Sequence, residues 1–197
     1  MHVTSTLTQL TPPAAATTLV SLAEAKAQCN VTFADDDALI TAKIAAAVEH
    51  LDGRDGILNR ALSNQKWRLE TELTTPIFLP LPPTIAVTAV AQLDEAGNET
   101  GVPGSGYQVV NGGIHGAYIV PGSAWPAVTT ARAINPVAIE FTCGHATLPP
   151  PIKQALLMMI ADAYKFRESV GFGSIFVSVP VQATIDDLLG PYYERPL

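Results

Sequence analysis

An α+β architecture, a helical bundle with an inserted antiparallel β module, is expected from three features of this chain. Apolar residues recur at helical spacing before residue 52, with Ile40, Ile44, Val48 and Leu51 on one face. From Trp67 to Thr142 the period changes to two, beginning with the strict alternation Trp67-Arg68-Leu69-Glu70-Thr71-Glu72-Leu73. Helical spacing returns after Leu148-Pro149-Pro150-Pro151, where Ile152, Leu156, Met159, Ala163 and Phe166 trace one face.

Taken in order, residues 1–17 are rich in Thr, Pro and Ala without periodicity and read as a flexible N-terminal arm. Ser21 followed by Glu24 is a capping box, in which each side chain satisfies the other's backbone N–H, and it starts a helix over 21–28. Asp35, Asp36 and Asp37 put negative charge at the N-terminus of a second helix, 36–51, and are read as capping residues. That helix is rich in alanine, which favours it intrinsically and allows close approach by another helix. Gly53 ends it, and the turn Gly53-Arg54-Asp55-Gly56 follows.

The β insert is placed at 66–142. Leu79-Pro80-Leu81-Pro82-Pro83 closes its first strand region, because proline cannot donate to a ladder. Ile85, Val87, Ala89, Ala91 and Leu93 are expected on one face of the next strand, and Asp94-Glu95-Ala96-Gly97-Asn98 reverses it. Gly112-Gly113 joins Tyr107-Gln108-Val109-Val110 to Ala117-Tyr118-Ile119-Val120 as a hairpin, and Val137, Ile139 and Phe141 mark a further strand. Prolines at a helix start cost nothing, so a helix is placed at 152–168, with Leu157, Ile160 and Tyr164 widening its stripe as in a central helix. A break at Gly171-Phe172-Gly173-Ser174 precedes a short helix, 183–189. Residues 190–197 cannot extend it and read as a C-terminal arm. The division is thus an arm at 1–17, one domain at 18–189 and an arm at 190–197.

At 197 residues the chain can bury roughly 70% of its unfolded surface without staples. Charged residues make up 15% of it, against about 25% in typical soluble domains. Between Leu73 and Ile152 the only charges are Asp94, Glu95, Glu99, Arg132 and Glu140, so much of the β module is expected to face neighbouring chains. The net charge of -7 and the lack of any Lys or Arg run argue against tight DNA binding. Two cysteines, Cys29 and Cys143, make no disulfide framework. No signal peptide and no stretch of the ~20 apolar residues needed to span a bilayer is recognised, so a soluble protein made in the cytoplasm is expected.

Chemistry-bearing patterns are sparse. The Asp35-Asp36-Asp37 run could hold a cation, but consecutive helical residues do not face one another. His2, His50, His115 and His145 have no zinc-site spacing, and Cys143 with His145 supplies two ligands at most. Gly104-Ser105-Gly106 and Gly122-Ser123 are turn sequences rather than nucleophile elbows, and no phosphate-binding glycine motif occurs. No catalytic residue, cofactor or metal is assigned. Trp67, Trp125, Tyr107 and Tyr118 lack interleaved cations and read as core or interface anchors.

The collinear order of Ser21-Leu22-Ala23-Glu24-Ala25-Lys26, Asp36-Asp37-Ala38-Leu39-Ile40, Asn59-Arg60-Ala61-Leu62, Trp67, the proline step, Tyr107-Gln108-Val109, Trp125-Pro126, Phe141-Thr142-Cys143-Gly144, Pro151-Ile152-Lys153-Gln154-Ala155, Arg167-Glu168 and Leu188-Leu189-Gly190-Pro191-Tyr192 resembles the head-tail connector (adaptor) proteins of long-tailed bacteriophages and gene transfer agents. The resemblance implies a structural virion protein at the neck, not an enzyme. It would form a twelve-fold ring of copies between the portal and the next neck, stopper or tail component, with DNA passing through the lumen without specific binding. It also implies that the C-terminal segment grips the portal, which makes Pro191, Tyr192, Tyr193 and Arg195 the candidate portal-contact residues. The competing reading is a soluble carbohydrate-binding or hydrolytic domain that uses Trp67, Trp125 and nearby carboxylates on the β module.

Overall fold

The computed structural model describes residues 5–113, 115–123, 125, 131–166 and 179–193. The chain divides into a helical unit, Ala14–Leu62 with Ala146–Leu197, and a β unit, Met1–Pro13 with Ser63–His145.

The helical unit contains α1 (Ala16–Leu19), α2 (Leu22–Cys29), α3 (Asp37–Leu51), α4 (Pro150–Lys165) and α5 (Val179–Leu189), followed by a 3-10 turn, Gly190–Tyr192. The capping box forms as expected: the Glu24 N–H donates to Ser21 Oγ at 3.3 Å and the Ser21 N–H to Glu24 Oε2 at 3.0 Å. Asn30, left-handed at φ 57°, closes α2. Helix α3 buries Ile40, Ile44, Ala47, Val48 and Leu51, the face its spacing predicts. Its cap differs from expectation. Asp36 occupies the N-cap position but makes no side-chain cap bond, because its Oδ2 accepts from the Tyr164 hydroxyl of α4, while Asp37 pairs with Lys26 of α2. The acidic run therefore ties α3 to its neighbours.

Helix α4 starts with prolines in its first turn and packs against α2, α3 and α5. Its core stripe is Ile152, Ala155, Leu156 and Ile160, and it stops there. Ala163 and Phe166, expected on that stripe, are exposed, and in the final turn it is Tyr164 that packs against the apolar cluster of this unit. The helix ends at Lys165; Arg167 and Glu168, expected in it, lie outside the described residues, as does the Gly171–Ser174 break. Helix α5 begins at Val179, earlier than the expected 183, and contributes Ile185 and Leu189 to the core.

The β unit holds β1 (Thr6–Thr11), β2 (Gln65–Thr71), β3 (Ile77–Leu79), β4 (Thr84–Leu93), β5 (Glu99–Gly101), β6 (Tyr107–Asn111), β7 (Ala117–Pro121) and β8 (Val137–Cys143). They form antiparallel sheets in the orders β1-β2-β8-β4-β5 and β3-β7-β6. Strand β2 alternates strictly between buried and half-buried residues, and Trp67 lies opposite Phe141 of β8. The hairpins at 94–98 and at Gly112-Gly113 join β4 to β5 and β6 to β7. Gly97 sits at φ 85°, a conformation glycine adopts without strain.

Two expectations give way here. Part of the stretch read as an arm, Thr6–Thr11, is edge strand β1, with Leu7 opposite Leu69 and Gln9 Nε2 donating to Gln65 Oε1 at 3.1 Å. The one-face reading of β4 also fails. Register shifts at Thr84/Ala86 and Val87/Ala89 insert extra residues and rotate the strand, leaving Ile85 and Ala89 exposed and Val90, Ala91, Gln92 and Leu93 all buried.

Candidate assembly surface and C-terminal segment

The turn after α3 is built around its backbone. Gly53, at φ 78°, donates to the Arg60 carbonyl at 2.7 Å, and Asp52 Oδ1 accepts from the Leu62 N–H at 2.7 Å. A Cβ on Gly56 would lie 2.5 Å from the Asp52 and Leu51 carbonyl oxygens, so the close approach requires glycine there. This turn holds the Arg60 side chain inside the helical unit, where it is 0% exposed. Its Nε donates to the Tyr192 carbonyl at 3.0 Å, across 132 residues of sequence, and its guanidinium stands 5.6 Å from the centre of the Tyr192 ring.

The candidate portal-contact residues therefore separate. Tyr192 is half-buried against the helical core and engaged by Arg60, whereas Pro191 and Tyr193 are exposed. Arg195 lies outside the described residues. The role of Arg60 could not be found from local sequence, because its partner belongs to the other end of the chain.

Several other cations are paired within each unit. In the helical unit Lys26 pairs with Asp37, and Lys153 with Glu24. The Lys153 ammonium bonded to the Glu24 carboxylate, aided by the Ser21 backbone and hydroxyl donors, lowers the Glu24 pKa from 4.5 to about 2. On the sheet face of the β unit, Lys66 bonds Glu140 at 2.7 Å, Arg68 bonds Glu70 at 3.1 Å and Glu99 at 2.7 Å, and Arg132 reaches Glu70 at 2.7 Å. The Arg132 bond, together with that of Arg68, holds the Glu70 carboxyl below its ordinary range despite its partial burial. Three of the five charges between Leu73 and Ile152 are thus neutralised inside the unit. Among the described residues, Lys43, Arg54 and Lys165 are basic groups outside any ion pair, Lys165 lying over the Phe166 ring, while Asp35, Glu49, Asp55, Glu95, Asp186 and Asp187 are exposed acids.

The residues of the carbohydrate or hydrolase reading do not converge. Alternation along β2 sends Trp67 into the core, 7% exposed with its indole N–H on Gln65 Oε1 at 3.0 Å, and sends Glu70 to the opposite face among arginines. The Trp125 indole N–H bonds the Thr74 carbonyl at 3.3 Å. Cys143 is buried and Cys29 half-buried, with burial pushing the Cys29 thiol up. Among the described residues no group of three His, Cys, Asp or Glu side chains could hold a metal ion, and no helix is long and apolar enough to cross a membrane. Exposed apolar side chains instead dot both units: Phe33, Leu39 and Ile57 in the helical unit, Ile85, Val109 and Val110 in the β unit.

Residues 19–98 match the family of phage gp6-like head-tail connector proteins. No curated protein matches. Among solved structures, a chain in the virion of a native gene transfer agent particle is 25% identical, with a TM-score of 0.70 over 97% of this chain and 96% of its own. A chain in the neck of an empty particle of that kind is 26% identical, with a TM-score of 0.70 over 98% and 97%. One in the neck of the native particle, computed with C12 symmetry, is 25% identical, with a TM-score of 0.65 over 96% and 97%. These are chains of a virion and of its neck, and the expectation of a structural protein rather than an enzyme agrees with them. The family match over residues 19–98 and the near full-length likeness to these chains coincide with the head-tail connector resemblance carried by the residues.

Proposed function

We propose that this chain is a structural protein of the virion neck. Residues 18–189 would act as its connector domain, twelve copies would close into a ring beneath the portal, and the ring would hand the DNA channel to the next neck or tail component. The observation that carries this reading is likeness over nearly the whole chain to chains of gene transfer agent necks, one computed with C6 and one with C12 symmetry. A closed ring needs a head-to-tail interface in which two different patches meet, and scattered exposed apolar residues with few unpaired cations suit contact between copies. The same shortage of unpaired cations suits a lumen that DNA crosses without being held, since each phosphate contact would add salt-sensitive retention.

The C-terminal segment is the portal contact in this reading. Exposed Pro191 and Tyr193 supply side chains for it, Arg195 adds a residue type enriched at binding hot spots, and Tyr192 holds the segment to the helical unit. The test removes residues 194–197 and replaces Tyr193 with Ala, keeping Tyr192 in place. Heads and tails that form separately but fail to join are expected; a normal yield of DNA-delivering particles would refute the portal role.

A further inference from the structure

We infer that Arg60 is a positioning residue that fixes where the C-terminal segment leaves the helical unit, making that exit point a property of the folded domain. The purpose of the clamp rests on the portal reading above; its existence does not.

Arg60 is a fully buried cation in a chain with few cations, and it is turned inward onto a residue 132 positions away. Two features of Tyr192 are held at once. The Nε bond to its carbonyl at 3.0 Å fixes the backbone, and the guanidinium 5.6 Å from the ring centre fixes the side chain. A charge-assisted bond is strong and directional, and a buried arginine beside a half-buried aromatic ring gains further from its own withdrawal from water. The clamp is itself braced, since the Gly53 N–H holds the Arg60 carbonyl at 2.7 Å and the preceding Gly56 turn tolerates no side chain.

The position along the chain gives this its consequence. Tyr192 is the last residue of the 3-10 turn, and Tyr193 beyond it turns to extended backbone at φ -65° and ψ 121°. Everything after Tyr193 therefore departs from a point set by Arg60. A segment that starts from a fixed point loses less freedom when it docks, so the clamp raises affinity without touching the partner. Lysine cannot replace it, because an ammonium lacks both the planar fork and the ring-stacking face.

The test is amide hydrogen exchange on the intact, isolated chain with Arg60→Lys, and with Tyr192→Leu as a second variant that keeps the carbonyl acceptor and loses the ring. Exchange at Gly190, Tyr192 and Tyr193 is expected to rise about tenfold or more in Arg60→Lys and by less in Tyr192→Leu, with α3 and α4 amides at wild-type rates. Unchanged exchange at 190–193 in Arg60→Lys, or an equal rise across α3 and α4, overturns the clamp. Failure of the portal reading is visible separately, as normal particle yield after removal of residues 194–197.

Discussion

The ion-pair network on the β unit and the buried Arg60 of the helical unit handle charge in opposite ways. In the β unit, Lys66, Arg68 and Arg132 share Glu70, Glu99 and Glu140 across one sheet face, with side chains 20–49% exposed. In the helical unit, Arg60 is withdrawn from water and bonded to a backbone carbonyl and a ring. The first arrangement is partly redundant, because Arg68, Glu70 and Glu140 each have more than one partner and water screens the rest. The second is harder to replace, because Arg60 itself is fully buried and its part-buried acceptor would regain water only in part. The difference assigns the two sites different work: the sheet network removes charge from a surface suited to neighbouring chains, and the arginine ties a chain end to the domain.

The largest test of that contrast is Arg60→Ala. It empties a fully buried site and takes the donor from the Tyr192 carbonyl, so a loss of about 2–5 kcal/mol is expected in denaturant unfolding. A loss comparable to that of a surface ion pair would erase the distinction between the units. Glu140→Gln in the sheet network comes next. Lys66 and Arg68 keep water or Glu70 and Glu99 as partners, and about 1 kcal/mol or less is expected on the same assay.

The smallest effect is one of pH. The folded pKa of Glu24, about 2, lies below its ordinary 4.5, so its contribution is complete above 4.5 and is lost as pH falls from there towards 2. The carboxylate is 42% exposed and water screens it, so the contribution is small. Comparing wild type with Glu24→Gln by thermal melting should give a Tm difference at about neutral pH that shrinks to nothing by about pH 2. A gap that widens in acid would show that the Lys153 and Ser21 bonds do not stabilise the ionised form.

Legibility in the sequence followed the range of each interaction. The Ser21–Glu24 box, the Gly53 stop, the buried face of α3 and the Gly112-Gly113 hairpin are set by residues a few positions apart, and all could be read directly. Strand β1 could not, because six residues of Thr, Leu and Gln become a strand only when β2 offers its edge, far along the chain. The faces of β4 were misassigned because a bulge leaves no mark in composition while it rotates every residue after it. The acidic run before α3 was legible as charge at a helix start, but Tyr164, 128 residues on, decides what Asp36 bonds. In the C-terminal segment the residue types pointed outward, and only the fold revealed that Tyr192 is held inward by Arg60.

The proposed function requires copies of this chain to fit together beneath a portal. A cryo-electron-microscopy reconstruction of the neck, from particles assembled with this chain, tests that most directly. The predicted result is a twelve-membered ring of this fold around the channel, with each segment after Tyr193 reaching the portal. A neck that lacks the chain, or a ring whose C-terminal segments point away from the portal, would contradict it.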